Sequence, residues 1–357
     1  MLDAKALLLF LMIVRIFSFP RFARFFVLSG ALIGALALAA CGQKAAPSAD
    51  HPTAPAPGKK IHLAYIAKGM QDVYWKSVEA GLREAEKEVN ASGQNLEVTW
   101  DAPTTDGDRP AQISMVENYV SQHVDGIILC PLDDNALVAP AEKAHRAGIP
   151  LVIVDSTLNY PETVTFVGTD NHHGGELAGE ELARLLNDKG NVIMMRYNPG
   201  SASCADREQG FLDAMKKHPG IKILSSDNYA GNSRETALDN GQRLLATYTG
   251  QIDGVFTPNE SSTNGMFLAL QTAGLAGKVK FVGFDGGTQN MAALQVGLIN
   301  ALVLQNPFQM GYLGVKVMLD HLDGKPVPAN IDTGATLVTK DNLDSPAVKA
   351  LLDHTVQ

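Results

Sequence analysis

The sequence predicts an α/β protein with doubly wound parallel sheets, and three observations lead to this fold class. From Ile61 onward, strand-like and helix-like segments alternate without a break. The strand-like segments are apolar throughout, which is typical of strands buried on both faces of a parallel sheet. The chain beyond residue 60 is also long enough to form two lobes with separate cores.

The predicted strands are short runs rich in Ile, Val and Leu. They are Ile61–Ala67, Leu96–Trp100, Gly126–Cys130, Pro150–Asp155, Asn191–Met195, Gly254–Thr257, Val279–Phe284 and Ala301–Leu304. Amphipathic stretches between them predict helices. These include Val73–Asn90, Pro110–His123, Asn135–Ala147 and Ala178–Asp188. Gly148 and Gly190 are placed as C-terminal helix stops.

The N-terminus predicts export. Arg21 and Arg24 precede the apolar run Phe25–Ala40, an order typical of a secretory signal. The run ends in Leu-Ala-Ala followed by Cys41, which resembles a bacterial lipobox. That resemblance implies that residues 1–40 are cleaved as a signal peptide and that the Cys41 thiol carries lipid. The alternative is a transmembrane anchor, since the run approaches the roughly 18 residues that span a bilayer. Met12 is an alternative start to Met1.

Residues 41–60 are predicted to form an extended tether between the lipid and the folded chain. They are rich in Ala and Pro and lack apolar periodicity. Of the other two cysteines, Cys130 and Cys204, we expect free thiols. A disulfide is the alternative, because exported proteins can form them.

The charge of the chain argues against nucleic acid as a partner. The formal net charge is −9, and loss of residues 1–40 would remove four basic residues and one acidic residue. The remainder would be more acidic still, whereas nucleic-acid-binding proteins need a basic face.

The carboxyl ends of the predicted strands are polar and aromatic, and ligands of open α/β sheets bind there. These ends are Lys68–Trp75, Cys130–Asn135, Asp155–Thr157, Tyr197–Arg207, Asn259–Ser262 and Asp285–Thr288. The sequence has no dinucleotide glycine pattern after the first strand, no Walker loop and no Gly-x-Ser-x-Gly, His-Glu-x-x-His or EF-hand motif. Adjacent His172 and His173 would point in different directions. We therefore predict no cofactor, no metal and no catalytic residue.

Several strings near these strand ends resemble the ribose/galactose-type periplasmic sugar-binding family, the type I periplasmic binding proteins. They are Val255-Phe256-Thr257-Pro258-Asn259-Glu260, Ala269-Leu270-Gln271-Thr272-Ala273-Gly274, Val282-Gly283-Phe284-Asp285-Gly286, and Gln305-Asn306-Pro307-Phe308-Gln309-Met310-Gly311. The resemblance covers about Ile61 to Thr339. Lactose-repressor-type regulators share the fold but begin with a DNA-binding helix-turn-helix, whereas a signal and tether stand in that place here.

The resemblance implies a sugar site, and the chemistry of its residues agrees. A pyranose needs flat aromatic rings for its faces and planar hydrogen-bonding groups for its rim. The residues that match the family's binding positions are Asp72, Tyr74, Trp75, Asp155, Arg207, Asn259, Asp285 and Gln305. We expect at least one of Tyr74 and Trp75 to stack on the sugar, because adjacent helix residues rarely both face one core.

Each of these residues also has an ordinary structural explanation. Tyr74 and Trp75 could simply pack at a helix start, and Gln305 could belong to a strand-end turn. The Asp and Asn residues could cap helices or form turns. Arg207 could form a surface ion pair with Asp206 or Glu208.

Three departures from the family's ribose binders bear on the ligand. Cys130 stands where those proteins often have asparagine, Ser156 where they have arginine, and Asn232 near an aromatic position. Asp72 also falls where relatives often have asparagine. The resemblance therefore implies a hexose, a pentose or a sugar alcohol and leaves the choice open.

The family's mechanism implies two lobes joined by a hinge of three crossings, placed here near Gly168–Asp170, Gln305–Pro307 and Ile331–Gly334. The first lobe would comprise 61–168 and 306–332, and the second 169–305 and 333–357. A closed, monomeric form would dock on a membrane permease of an ABC transporter at the periplasmic face of the envelope. Two alternatives stay open: a sensor for a chemoreceptor or histidine kinase, and an exported hydrolase using Asp155 and Asp285 as acid and base.

Overall fold

The structure is a computed structural model that describes residues 58–70 and 72–353. The proposed signal peptide, Cys41 and nearly all of the tether lie outside these residues. The described chain forms two α/β lobes, each built on one six-stranded sheet, which confirms the predicted fold class.

The first lobe contains six strands and four helices. They are β1 (Ile61–Ile66), α1 (Val73–Ala91), β2 (Leu96–Asp101), α2 (Arg109–Ser121), β3 (Gly126–Leu129), α3 (Val138–Arg146), β4 (Leu151–Val154), β5 (Thr165–Gly168), α9 (Pro307–Leu322) and β11 (Asn330–Asp332). Its sheet has the order β11-β5-β4-β3-β1-β2, and all its pairings are parallel.

The second lobe contains six strands and six helices. They are α4 (Asn171–Leu185), β6 (Gly190–Arg196), α5 (Ala202–Met215), β7 (Ile221–Tyr229), α6 (Arg234–Thr247), β8 (Gly254–Phe256), α7 (Glu260–Thr272), β9 (Lys280–Phe284), α8 (Thr288–Gln295), β10 (Ala301–Leu304), β12 (Thr336–Thr339) and α10 (Pro346–Leu352). The sheet order is β12-β10-β9-β8-β6-β7, and only the β10–β12 pairing is antiparallel.

Both faces of each sheet are buried, as the continuous apolar runs predicted. In β1, Leu63 and Tyr65 belong to one core cluster of the first lobe, while Ala64 and Ile66 belong to another. Successive side chains of a strand point to opposite faces, so helices cover the sheet on both sides. The second sheet likewise has a core cluster on each face.

Two predicted features were wrong. Helix α4 begins at Asn171, not at Ala178, because Gly174, Gly175 and Gly179 lie in its first nine residues and dilute the apolar pattern. Gly190 is not a helix stop: it is the first residue of β6. The left-handed backbone after α4 occurs instead at Asn187 and Asp188, with φ of 52° and 59°.

Reciprocal glycines hold two pairs of helices in close contact. A Cβ on Gly81 of α1 would lie 1.9 Å from the carbonyl oxygen of Phe308 in α9, and one on Gly311 would lie 1.9 Å from that of Val78. In the second lobe, a Cβ on Gly175 of α4 would lie 2.0 Å from the carbonyl oxygen of Arg207 in α5. The helices that carry predicted site residues are therefore fixed by backbone-to-backbone contact.

Within the described residues the chain passes from one sheet to the other three times. The connecting residues are 169–170, 305–306 and 333–335, which lie between β5 and α4, β10 and α9, and β11 and β12. Their action as a hinge stays a prediction. None of the described helices combines the length and apolar character that a membrane span requires.

Candidate functional site

The eight predicted site residues all line one cavity between the two lobes. This inner cavity has a volume of about 40 Å³. Its walls are formed by residues at the carboxyl ends of strands from both sheets and at the N-termini of the helices that follow. The lining residues are Lys68, Asp72, Tyr74, Trp75, Asp106, Asp155, Tyr197, Ser201, Ser203, Cys204, Arg207, Asn259, Glu260, Asp285 and Gln305.

Asp155 is the centre of the first-lobe wall. It follows β4 with a φ of 68°, a left-handed conformation that is uncommon for residues other than glycine. Its carboxylate accepts a hydrogen bond from the Tyr74 hydroxyl at 2.6 Å and pairs with Lys68 Nζ at 2.6 Å. Burial pushes the pKa of Asp155 upward, but Lys68 and Arg207 more than offset it, so that the pKa lies below its ordinary value. The carboxylate of Asp155 is therefore fixed by Tyr74 and Lys68. The alternative that Asp155 caps a helix is wrong.

Arg207 is buried in the second-lobe wall and is only 2 % exposed, so a surface ion pair is also excluded. Its Nε donates to Asn171 Oδ1 at 2.8 Å, and Nη1 donates to the Pro258 carbonyl at 2.9 Å. The guanidinium lies over the Phe284 ring, 4.4 Å from its centroid. The second terminal nitrogen, Nη2, has no hydrogen-bond partner among the described residues.

Asp285 occupies a position in the second lobe that corresponds to that of Asp155 in the first. It follows β9 with a φ of 66°, and its carboxylate accepts from Gln305 Nε2 at 2.8 Å and from the Glu260 main-chain N–H at 3.1 Å. Arg207 Nη1 lies 4.0 Å from it. Because the N-cap of α8 is Gly287, the predicted alternative that Asp285 caps this helix is wrong.

Asn259 does cap a helix. Its side chain accepts from the Ser262 N–H at the start of α7 and donates to Ser261 Oγ at 3.0 Å. Capping and lining the cavity are compatible, and a ligand-binding role for Asn259 stays a prediction.

Tyr74 and Trp75 both line the cavity and both belong to the same first-lobe core cluster. The argument that adjacent helix residues would not share a core was therefore wrong. The two rings meet edge to face, with centroids 4.9 Å apart and an interplanar angle of 87°. Trp100 instead packs on Tyr65, 5.4 Å between centroids, and is not a lining residue.

Seven lining residues were not singled out from the sequence. Six of them lie in the polar strand-end segments already identified: Lys68, Tyr197, Ser201, Ser203, Cys204 and Glu260. The seventh, Asp106, follows β2, whose carboxyl end was left out of the predicted binding edge. Treating the end of every predicted strand alike would have found it.

The lobes are closed on each other. Ser156 Oγ, from the first lobe, donates to Ser203 Oγ at 3.0 Å and accepts from the Ser203 N–H at 2.9 Å. Ser156 thus makes a direct contact between the lobes. Nearer the edge, Arg109 pairs with Asp133 and donates to the Pro199 carbonyl of the other lobe.

A larger, outer cavity of about 330 Å³ lies beside the inner one. Three carboxylates line both cavities: Asp72, Asp106 and Glu260. Burial, and then Glu260, raises the pKa of Asp72 to about 8. Burial, and then Asp285, raises that of Glu260 to about 7, and burial raises that of Asp106 to about 6.

The described residues include no group of His, Cys, Asp and Glu arranged to hold a metal ion. His172 Nε2 lies 3.1 Å from Asp213, and His173 Nδ1 lies 3.9 Å from Glu176, so the two imidazoles face different partners. Cys130 and Cys204 are both buried free thiols.

The sequence is similar to a protein family and to several characterised proteins. The periplasmic binding protein domain family matches residues 63–326. The xylitol-binding protein of Mycolicibacterium smegmatis is 29% identical over 71% of this chain and 72% of that protein. The ribose import binding protein of Salmonella typhimurium is 29% identical over 79% of this chain and 91% of its own.

A solved structure is similar over the same region. The solute-binding protein of a carbohydrate transporter from Agrobacterium radiobacter, in complex with D-arabinose, is 34% identical, with a TM-score of 0.77. The match covers 82% of this chain and 99% of that one.

Proposed function

We propose that this chain, which belongs to the periplasmic binding protein domain family, captures a monosaccharide or related polyol between its lobes and delivers it to an ABC-type permease. Its family membership makes it a sugar-binding protein of an ABC transporter. Its relatives are transport proteins rather than enzymes. The relatives named for xylitol, ribose and D-arabinose support this ligand class.

One observation carries the proposal: the residues that line the inner cavity include buried polar atoms with no hydrogen-bond partner among the described residues. Arg207 Nη2 and Gln305 Oε1 make no hydrogen bond among the described residues, although these side chains are 2 % and 4 % exposed. An unsatisfied buried polar atom costs about 1–3 kcal/mol. A sugar hydroxyl could accept from Arg207 and donate to Gln305, which would recover this cost.

The two walls suggest how capture works. The first lobe would contribute Asp155 with Tyr74 and Trp75, and the second Arg207 and Asp285. A ligand that contacts both walls favours the closed form by its differential affinity for that form. Parting of the walls would admit the ligand, and residues 169–170, 305–306 and 333–335 would act as the hinge.

Export and anchoring belong to the same proposal. The apolar run before Cys41 and the Ala/Pro-rich segment after it support a lipid anchor at the periplasmic face with a tether to the lobes. We propose that the protein acts there as a monomer.

Isothermal titration calorimetry against D-ribose, D-arabinose, D-allose, D-glucose, D-galactose, xylitol and myo-inositol tests this function. We expect at least one ligand to bind with one site per chain. Arg207→Lys keeps the charge but loses the forked geometry, so it should weaken binding at least about tenfold. Arg83→Lys, on the partly exposed face of α1, should bind as wild type does. If no sugar or polyol binds the folded wild type, the proposal fails.

A further inference from the structure

The inner cavity has more carboxylates than its cations can neutralise. Its lining contains five carboxylates and two cations, Lys68 and Arg207. Lys68 pairs with Asp155 at 2.6 Å, and Arg207 lies 4.0 Å from Asp285. The remaining three, Asp72, Asp106 and Glu260, form no ion pair within the described part of the chain. We refer to these three residues as the acidic wall.

The outer cavity supplies no free cation either. Of its lining residues only Arg234 is cationic, and its guanidinium pairs with Glu235 at 3.1 Å. Arg234 moderates the pKa of Asp72 but does not prevent its rise.

The acidic wall is assembled from both lobes and fits into space that glycines leave open. Asp72 and Asp106 come from the first lobe, and Glu260 from the second. A Cβ on Gly69 would lie 1.7 Å from Asp106 Oδ1, and one on Gly287 would lie 2.3 Å from Glu260 Oε1. Two carboxylates thus occupy positions that any side chain at 69 or 287 would disturb.

Closing the lobes therefore brings like charges together in a partly dehydrated space. Burial, and then repulsion by Glu260 and Asp106, raises the pKa of Asp72, while burial, and then repulsion by Asp285 and Asp106, raises that of Glu260. The closed form needs a compensating positive charge, which either protons or a cationic group of the ligand can supply.

The same cavity carries independent marks of a hydroxyl-bearing ligand. Arg207 Nη2 and Gln305 Oε1 are buried, unpartnered and among the residues that line it with the acidic wall. One side of the cavity thus offers a donor and an acceptor for hydroxyls, and the other offers three carboxyl groups that form no ion pair among the described residues.

We propose that the ligand is an amino sugar or amino polyol whose ammonium group lies against Asp72, Asp106 and Glu260 while its hydroxyls bond to Arg207 and Gln305. This inference rests on the proposed function and narrows its ligand class. An ammonium group donates up to three hydrogen bonds, and charge-assisted bonds to carboxylates are about twice as strong as neutral ones.

Matched ligand pairs test the inference at pH 7 by calorimetry: glucosamine against glucose, galactosamine against galactose, and glucamine against sorbitol. Within each pair the two compounds differ only in an amine replacing a hydroxyl. We expect at least one amine to bind about tenfold or more tightly than its neutral counterpart. N-acetylglucosamine, which keeps the nitrogen without its charge, should lose this advantage.

Variants assign the preference to the acidic wall. Asp72→Asn keeps the size and the N-cap position of Asp72 and should reduce the amine preference about tenfold, as should Glu260→Gln. Asp239→Asn changes an exposed carboxylate on α6 that lines neither cavity and should leave the preference intact. Melting temperatures verify that each variant is folded.

The outcomes separate this inference from the function on which it rests. Neutral sugars that bind as tightly as the amines, or more tightly, would overturn the amine inference and leave the sugar-binding function standing. An amine preference that survives in both Asp72→Asn and Glu260→Gln would also overturn it. If neither series binds while another sugar or polyol does, the amine inference alone fails; if no sugar, polyol or amine binds the folded wild type, the proposed function fails with it.

Discussion

The main-chain N–H of Tyr74 in the first lobe donates a hydrogen bond to Glu260 Oε2 in the second lobe, 3.0 Å away. Asp72, the N-cap residue of α1, makes no side-chain capping bond. The first turn of this helix is therefore satisfied from the opposite lobe, at a position where negative charge is favoured by the helix dipole. If the lobes opened, the Tyr74 N–H would hydrogen-bond to water instead of to Glu260. The capping of α1 by Glu260 therefore depends on closure of the lobes.

The ligand-free protein should become less stable as pH rises from about 4 to about 8. The pKa of Asp72 is raised to about 8 and that of Glu260 to about 7, whereas unfolding returns both to about 4. The folded, closed form thus binds more protons in this window, and its stability is lost as they dissociate. The charged groups around Asp72 are Glu260, Asp106, Asp285 and Arg234.

Melting temperatures of the wild type and Glu260→Gln across this pH range measure the effect. The glutamine keeps an acceptor for the Tyr74 N–H but has no charge, so its melting temperature should fall less with pH. Parallel curves for the two proteins would contradict the explanation.

Ligand binding should change the intrinsic fluorescence of Trp75. Trp75 lines the inner cavity, and its side chain hydrogen-bonds to Asp106, whereas Trp100 lies against Tyr65. Trp75→Phe should remove most of the change, and Trp100→Phe should preserve it. Trp75→Ala should weaken binding more than Trp75→Phe, because several tens of Å² of apolar contact are worth about 1–2 kcal/mol. If the fluorescence change survives in Trp75→Phe and vanishes in Trp100→Phe, then Trp75 is not the tryptophan that contacts the ligand.

Gly175→Ala should disturb the binding site by displacing the backbone of Arg207. The added Cβ would lie 2.0 Å from the Arg207 carbonyl oxygen, so α4 and α5 must separate. Overpacking of this kind costs about 1–3 kcal/mol, and Arg207 should shift with its helix. We expect a lower denaturant midpoint together with weaker sugar affinity. Gly58→Ala, where no atom lies within 4 Å of the added Cβ, is the control; equal behaviour of the two variants would refute the close contact.

Cys41→Ser should abolish metabolic labelling of the protein with palmitate in a bacterial host and leave the precursor uncleaved. Cys130→Ser should be labelled as wild type is, because the Cys130 thiol is buried in the folded first lobe. Labelling that persists in Cys41→Ser would exclude lipid attachment at this residue.

The sequence was sufficient to find both walls of the cavity because a simple rule of α/β sheets governs them. Asp155 and Asp285 each follow an apolar strand, and the carboxyl ends of parallel strands meet at one edge. The start of α4 was not predicted, because glycines stand there in place of apolar residues. These glycines allow α4 to pack closely on α5, but they remove the apolar periodicity that indicates a helix. The sheet-edge strand β11 also escaped, because its three residues, Asn330, Ile331 and Asp332, hold only one apolar side chain.

The electrostatics of the acidic wall could not have been inferred from sequence. Asp72, Asp106 and Glu260 are distant along the chain, and only the closure of one lobe on the other brings them to a common surface. Their raised pKa values result from this three-dimensional proximity and from burial. Nor does the order of residues tell that Asn259 caps α7 while Asp285 leaves α8 uncapped, because this depends on side-chain rotamers fixed by neighbours such as Gln305.

The central claim is that the inter-lobe cavity binds a sugar or polyol, and calorimetry of Asp285→Asn with the tightest ligand found for the wild type tests it most directly. A charged hydrogen-bond partner contributes about 1.5–3 kcal/mol, so we predict at least about tenfold weaker binding with a melting temperature close to that of wild type. Asp239→Asn should bind normally. Unchanged affinity in folded Asp285→Asn would contradict the claim.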